Sequence, residues 1–280
     1  MEKTIVTHMR PDLDCCSAVW LVKRYIPGFR QAQIMFVVAG STFNGQPADT
    51  DDNVIHVDTG FGKFDHHQDK TRTSAARKLY LYLNRKDMLV QKDKKTIKRL
   101  TDLVNQIDNF EEVDWPDPNA DIYELGLHQI LQGIRYQTSD DYQVLDFCLE
   151  ALDGLYGILK MKTKAEKELQ KAKEIRTKSN ITALVIESTI DETISIAQKN
   201  GSILVIRRDP NSGRVRIKAR PNSGIDLTKT YQAIIKKDSP SNWFLHATGK
   251  MLLNGSSKKP DNYPTKLSLK EIVTIVKANN

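Results

Sequence analysis

The first 26 residues constrain the fold more than any other stretch. Thr4 to His8, "TIVTH", is a short apolar run that breaks directly into a polar turn, "MRPDLD". The segment 14–26, "DCCSAVWLVKRYI", then sets Ala18, Leu21, Val22 and Tyr25 at helical spacing, and Pro27-Gly28 ends it. A buried strand feeding a helix through a polar turn is the opening unit of an α/β sheet. Two further strands are read at 33–39, "QIMFVVA", and 53–58, "NVIHVD". The expectation is an open, mainly parallel sheet with helices on both faces. In such sheets, sites form at the carboxyl ends of the strands.

The texture further along separates two domains. Residues 71–110 read as mostly helical, with Thr73 or Ser74 as an N-cap. Within them Ile97, Leu100, Leu103, Val104 and Ile107 share one helical face. "DWPDPNAD" (114–121) is a loop, and 141–161 is another apolar-faced helix. The charged, alanine-rich 162–179 reads as an exposed connecting helix. After Asn180 come strand-like runs at 181–188, 201–209 and 214–220, the last two joined by a hairpin turn. Helices are expected at 226–237 and 268–278. The expected organisation is a domain over 1–160, a helical linker over 161–180, and a smaller α+β domain over 181–280.

Composition narrows the setting. No apolar stretch approaches the roughly 18 residues of a membrane span, and the N-terminus has no apolar secretory region. Of three cysteines, Cys15, Cys16 and Cys148, two are adjacent. That is no disulfide framework, and the expected compartment is the reducing cytoplasm. The net charge of +7 favours polyanionic partners such as nucleotides or nucleic acid. A generic basic surface explains it equally well.

The chemistry concentrates in four segments. "THMRPDLD" presents His8, Asp12 and Asp14 on one turn stiffened by Pro11. Either aspartate could instead cap the 14–26 helix. "VIHVDTG" puts Asp58 at a strand end, where it is either a metal-bridging carboxylate or a turn residue. His56, on the same strand face, reads as packed behind it. "FDHHQ" sets Asp65, His66 and His67 side by side. Two adjacent histidines facing one point require a loop or a helix start. "QIDNFEEVD" offers Asp108 at the end of an amphipathic helix. Carboxylates with one or two imidazoles suit Mn²⁺ or Mg²⁺. A closed zinc site would use C-x-x-C pairs, and there are none. The carboxylates suffice for two ions sharing one aspartate. Such a pair, about 3.5–4 Å apart, clamps an in-line phosphoryl displacement and activates water.

In this order "HMRPDLD", "VIHVDTG", "FDHHQ" and "QIDNFEEVD" resemble the four motifs of the DHH phosphoesterase superfamily, which is named for the triplet seen here as Asp65-His66-His67. The motifs cover residues 4–115. "DHHQDKTRTSAA" also resembles a subgroup of metal-dependent hydrolases related to RNA exonucleases. The resemblance implies two Mn²⁺ ions, or Mg²⁺. His8 and Asp12 would hold one, Asp14, His66 and Asp108 the other, and Asp58 would bridge them. With Asp58 and His66, His67 is assigned to catalysis, as acid or electrostatic partner of a phosphate oxygen. The resemblance also implies a C-terminal substrate-binding domain, and the chain is compatible with a homodimer.

Two departures from the family pattern stand out. Cys15-Cys16 occupy the place of a small residue and are read as packing. The glycine-rich "GGH" of many members is replaced by "WFLHATGKMLLNGSS". There His246, Gly249, Lys250 and Ser256 are candidates to cradle a phosphate. Arg216 and Arg220, alternating with apolar residues, are candidates to pair with phosphates or form a solvated strand face. His128 reads as structural, and Trp115, Trp243 and Phe244 as core rather than base-stacking platforms. The expected substrates are short oligonucleotides or single-stranded ends. A cyclic dinucleotide is the alternative. Pyrophosphate and a noncatalytic nucleotide-binding module are less favoured.

Overall fold

A computed structural model describes residues 2–68, 70–238, 243–255 and 263–280. Its mixed α/β chain divides into two compact units, Met1–Lys160 and Met161–Asn280.

In the first unit, β1 (Thr4–His8) lies between β2 (Gln33–Val37) and β3 (Val54–His56), and both pairings are parallel. Thr4 through Thr7 are buried, as a central strand covered on both faces requires. Helix α1 (Leu13–Tyr25) follows β1 and is buried at every position from Leu13 to Val22. A helix apolar all round belongs in the interior, and α1 packs against β1, α2 (Ala75–Arg85), α3 (Gln91–Asp108) and α4 (Leu127–Arg135). Ser74 is the N-cap of α2, accepting from the Arg77 N–H. The core joins Ile5, Leu21, Leu79, Leu83, Ile97, Leu100 and Leu131 to Leu145 and Leu152 of α5 (Asp141–Leu169). Cutting one of these leucines to alanine costs about 2–5 kcal/mol. This packing holds the carboxyl ends of β1 and β3 side by side, with the start of α1 against them.

The second unit carries a six-stranded sheet in the order β4-β5-β6-β7-β9-β8. Its strands are β4 (Lys173–Arg176), β5 (Thr182–Glu187), β6 (Leu204–Arg208), β7 (Val215–Ala219), β8 (Trp243–Leu245) and β9 (Met251–Asn254). Only β5 and β6 pair in parallel, and α6 (Glu192–Lys199) is the crossover between them. Helices α7 (Thr228–Ile235) and α8 (Leu269–Asn279) complete the core, with Ile234, Ile272 and Val276 packed on Leu204, Ile206 and Ile217.

One expectation is corrected. Residues 162–179 do not form a separate connecting helix. The helix of 141–161 runs on without a break to Leu169, and Lys173–Arg176 is an edge strand antiparallel to β5. Buried Ala165 explains the continuation, because it packs with Ile190 and Ile196. The charge run hid a segment with one apolar face.

Candidate metal centre

His8 ends β1, and its ring is oriented from behind. Nδ1–H donates to the Met9 carbonyl at 2.8 Å, which turns Nε2 towards carboxylates. Nε2 lies 3.2 Å from Asp58 Oδ2 and 3.8 Å from Asp12 Oδ2. Asp12 is the N-cap of α1, its Oδ1 accepting from the Cys15 N–H at 3.0 Å. Capping and site thus use different oxygens of one carboxylate.

Asp58 follows β3 with a left-handed backbone (φ 54°) and is 2 % exposed. Non-glycine residues adopt this conformation only where surroundings enforce it. Here the Asp58 N–H donates to the Phe64 carbonyl, tying the strand end to the "FDHH" loop. Its second oxygen, Oδ1, faces the other imidazole: His66 Nε2 is 3.2 Å away. The same His66 nitrogen lies 3.5 Å from Asp108 Oδ2, at the end of α3, and 3.8 Å from Asp14 Oδ2. One carboxylate therefore turns one oxygen to each histidine.

Asp14 does not cap α1. Its two oxygens accept from the Ala75 and Ala76 N–H groups at 2.6 and 2.9 Å, so it anchors the positive N-terminus of α2. Asp65 is also an organiser: Oδ2 accepts from the Phe61 N–H and Oδ1 from the His67 N–H, with His67 Nδ1 at 2.7 Å. His67 is half exposed, 3.8 Å from Asp58 Oδ1. His56 is buried, and its Nε2 accepts from the Phe43 N–H.

The family described as ChrB, C-terminal domain, matches residues 5–159, more than half of the 280. The chain belongs to the ChrB C-terminal domain family. This match spans every residue of the centre described above. A search of curated proteins finds no match. Similar solved structures include a DHH-domain protein of the s1p family of ribosomal proteins, 11% identical. It covers 98% of this chain and 85% of its own, with a TM-score of 0.35. RecJ from Thermus thermophilus, solved with Mg²⁺, is 12% identical, over 98% of this chain and 49% of that one, at TM-score 0.33. A manganese-bound RecJ exonuclease is 10% identical, over 99% and 89%, at 0.30.

The electrostatics of this cluster favour a cation. Burial opposes a charge on His8, but its hydrogen bond to Asp58, with Cys15 and Asp12 nearby, pushes its pKa up to about 12. Burial would raise Asp58, yet the bonds to His66 and His8 hold it down at about 2. Asp108 is pushed up to about 7 by burial, with His66 drawing it back and Asp58 and Asp12 adding to the rise. Asp14 is raised by burial and by Asp58, Asp108 and Asp12. Four carboxylates crowd together, balanced by two imidazoles, by Arg135 near Asp12 and by the α2 backbone amides on Asp14. Asp58 Oδ1 and Asp108 Oδ2 are buried and make no regular hydrogen bond beyond their approach to His66 Nε2, at 3.2 and 3.5 Å, which leaves lone pairs that a cation would satisfy. His8, Asp12, Asp58 and Asp14, His66, Asp108 offer two adjoining sets of oxygen and nitrogen donors. That donor chemistry fits divalent ions.

A cavity of about 680 Å³ opens onto Asp12, Asp14, His66, His67 and Asp108. Its wall holds residues that sequence reading missed. His128, Gln132 and Arg135 fall at i, i+4 and i+7 on one face of α4 and line it. That spacing was a legible signal, although His128 alone read as structural. Phe110, 73 % exposed in a left-handed turn after α3, forms part of the rim.

The remaining candidates belong to the second unit. Arg216 on β7 pairs with Asp191 at 2.6 Å, and Arg220, just past the strand, is exposed. His246 Nδ1 lies 2.9 Å from the Thr248 hydroxyl in the β8–β9 turn. Gly249 has φ 66°, and a Cβ there would sit 3.0 Å from the Asp226 carboxylate. Lys250 Nζ donates to the Ser223 and Ile225 carbonyls. The structure thus commits the lysine to backbone acceptors and sets a carboxylate beside the glycine. Ser256 lies outside the described residues.

Proposed function

We propose that this chain is a divalent-metal-dependent phosphoesterase of DHH type, hydrolysing phosphodiester bonds of short oligonucleotides or single-stranded nucleic-acid ends. The observation that carries the reading is the Asp58 carboxylate, with one oxygen 3.2 Å from each of two imidazoles and carboxylates beyond both. Two ions held there, Mn²⁺ in the first instance, would supply an activated water and neutralise phosphoryl charge. The chain's own residues do the rest. His8 and Asp12 would hold one position and Asp14, His66 and Asp108 the other, with Asp58 shared between them. Asp65 fixes His67 at the cavity mouth, where its ring meets a phosphate or leaving-group oxygen and holds or delivers a proton. Arg135 meets a second phosphate oxygen, and Phe110 offers a face for a base.

The cavity favours a nucleotide over a small inorganic anion. About 680 Å³ is within the usual range for small-molecule ligand pockets. Among the described residues lining it, Arg135 is the only arginine or lysine, too little for a compact tetra-anion. A cyclic dinucleotide is the second reading, because the same rim and phosphate contacts serve it. No helix among the described residues is long and apolar enough to cross a membrane.

A substrate panel tests the reading: end-labelled oligomers, linear and cyclic dinucleotides, and pyrophosphate, each with Mn²⁺ or Mg²⁺. The expected result is nucleoside monophosphate release from dinucleotides and short oligomers with Mn²⁺. Binding without turnover on every substrate and ion would leave a noncatalytic nucleotide-binding module instead.

A further inference from the structure

The start of α1 brings a third donor to His8 and Asp12. A ring nitrogen of His8, a carboxylate oxygen of Asp12 and the sulfur of Cys15 all lie within 4.8 Å of one another. Donors around one ion, with bonds of about 2.0–2.3 Å, stand at most about 4–4.5 Å apart, so small side-chain rotations close the set. The helix explains the convergence. Asp12 caps α1 and Cys15 is three residues on, so both point to the same end of the helix. Asp12 Oδ2 and His8 Nε2 remain turned inward, because Asp12 Oδ1 is held by the Cys15 N–H and His8 Nδ1 by the Met9 carbonyl.

Cys15 is set apart from its neighbour. Successive side chains on a helix point about 100° apart, and the two thiols meet different surroundings. The Cys16 thiol neighbours Cys148 and Cys15, and these contacts, with burial, drive its pKa far up. The Cys15 sulfur is fully buried, donates to the Asp12 backbone carbonyl at 3.6 Å, and stands within 4.8 Å of the His8 and Asp12 donor atoms. A residue present only to fill space needs no imidazole and carboxylate around it. On the same side, the buried Asp58 turns its Oδ2 to within 3.2 Å of His8 Nε2, so a further carboxylate faces this donor set.

We propose that Cys15 is a thiolate ligand of the ion held by His8 and Asp12, so that this half of the centre takes a borderline or soft divalent cation and not magnesium. The inference rests on the metal-centre reading above and deepens it. The Asp14–His66–Asp108 half offers only oxygen and nitrogen donors, so the two halves differ in preference. On binding, the Cys15 thiol releases its proton to water and the sulfur donates a lone pair to the cation. Nothing is oxidised or reduced.

Cobalt(II) titration of the metal-stripped full chain, followed by ultraviolet–visible absorption, tests this. The expected spectrum shows visible d–d bands together with a sulfur-to-cobalt charge-transfer band in the near ultraviolet. Cys15→Ser should lose the charge-transfer band and keep the d–d bands, and Cys15→Ala should do the same. Cys16→Ala should retain both. Visible bands without charge transfer in the unmodified chain overturn the thiolate ligand and leave the metal centre standing, as does charge transfer that survives Cys15→Ser. Absence of every cobalt band overturns both the ligand and the centre.

Discussion

Replacing Asp58 by asparagine keeps the shape of the side chain and removes its charge, so it separates the electrostatic role from packing. Without metal, the carboxylate is stabilised by His8 and His66 at a pKa of about 2. Relative to an unfolded value of 3.8, that is on the order of 2 kcal/mol at about 1.36 kcal/mol per pKa unit. The pKa is depressed, so the contribution is present above the unfolded value and lost as pH falls through about 2. At neutral pH it is fully in force. The figure is an upper one, because removing the charge also relieves Asp14 and Asp108, both raised in part by Asp58. At about 2–4 °C per kcal/mol for a unit of this size, metal-free Asp58→Asn should melt up to about 4–8 °C lower. Metal adds a second, larger contrast. An ion at 100 times its Kd stabilises the native chain by about 2.7 kcal/mol, or about 5–10 °C. The variant should show no such rise. Several kcal/mol of lost transition-state stabilisation should lower hydrolysis of bis-nitrophenyl phosphate by about a thousandfold. Thermal melts with and without Mn²⁺, paired with that assay, give both readings. A variant that keeps the Mn²⁺-dependent rise in melting temperature would refute the shared-carboxylate argument.

Two more outcomes follow from the same geometry. Asp108 titrates at about 7, and His8 and His66 are raised by their carboxylate partners, so an incoming ion must expel protons that the metal-free site holds. Divalent-ion affinity should therefore rise with pH through about 7, and calorimetry in buffers of different ionisation enthalpy should show net proton release; zero release contradicts the assignment. Arg135→Met should raise KM for a dinucleotide by about tenfold to a hundredfold, from the loss of about 1.5–3 kcal/mol in a charged hydrogen bond, while a mononitrophenyl substrate too small to reach α4 should keep its KM; equal effects on both would place Arg135 in the fold and not at the substrate.

Local patterns carried much of this. The strand ending in His8 and the apolar α1 were readable because β and helical periods differ and a central helix is apolar at nearly every position. The four motifs were readable because each sits where a strand, turn or helix ends. Roles within the motifs were less legible. Asp12 and Asp14 both looked like caps of one helix. Asp12 caps α1 with one oxygen, whereas Asp14 anchors α2, 61 residues away in sequence. In the sequence Asp65 has no role beyond its place beside His66 and His67, and its hydrogen bonds make it the brace of the loop.

By itself, then, the order of residues determined most element types, though not the edge strand Lys173–Arg176, together with the α/β class and the set of polar side chains with no use in a core. Tertiary structure decided which oxygen of Asp58 meets which histidine, that α4 walls the cavity, and that Cys15 faces His8 while Cys16 faces Cys148. Those outcomes depend on contacts between separate elements, some a few residues apart in sequence and some dozens. Periodicity reports which face of an element is apolar, but the partner of a polar atom is set only when the elements pack.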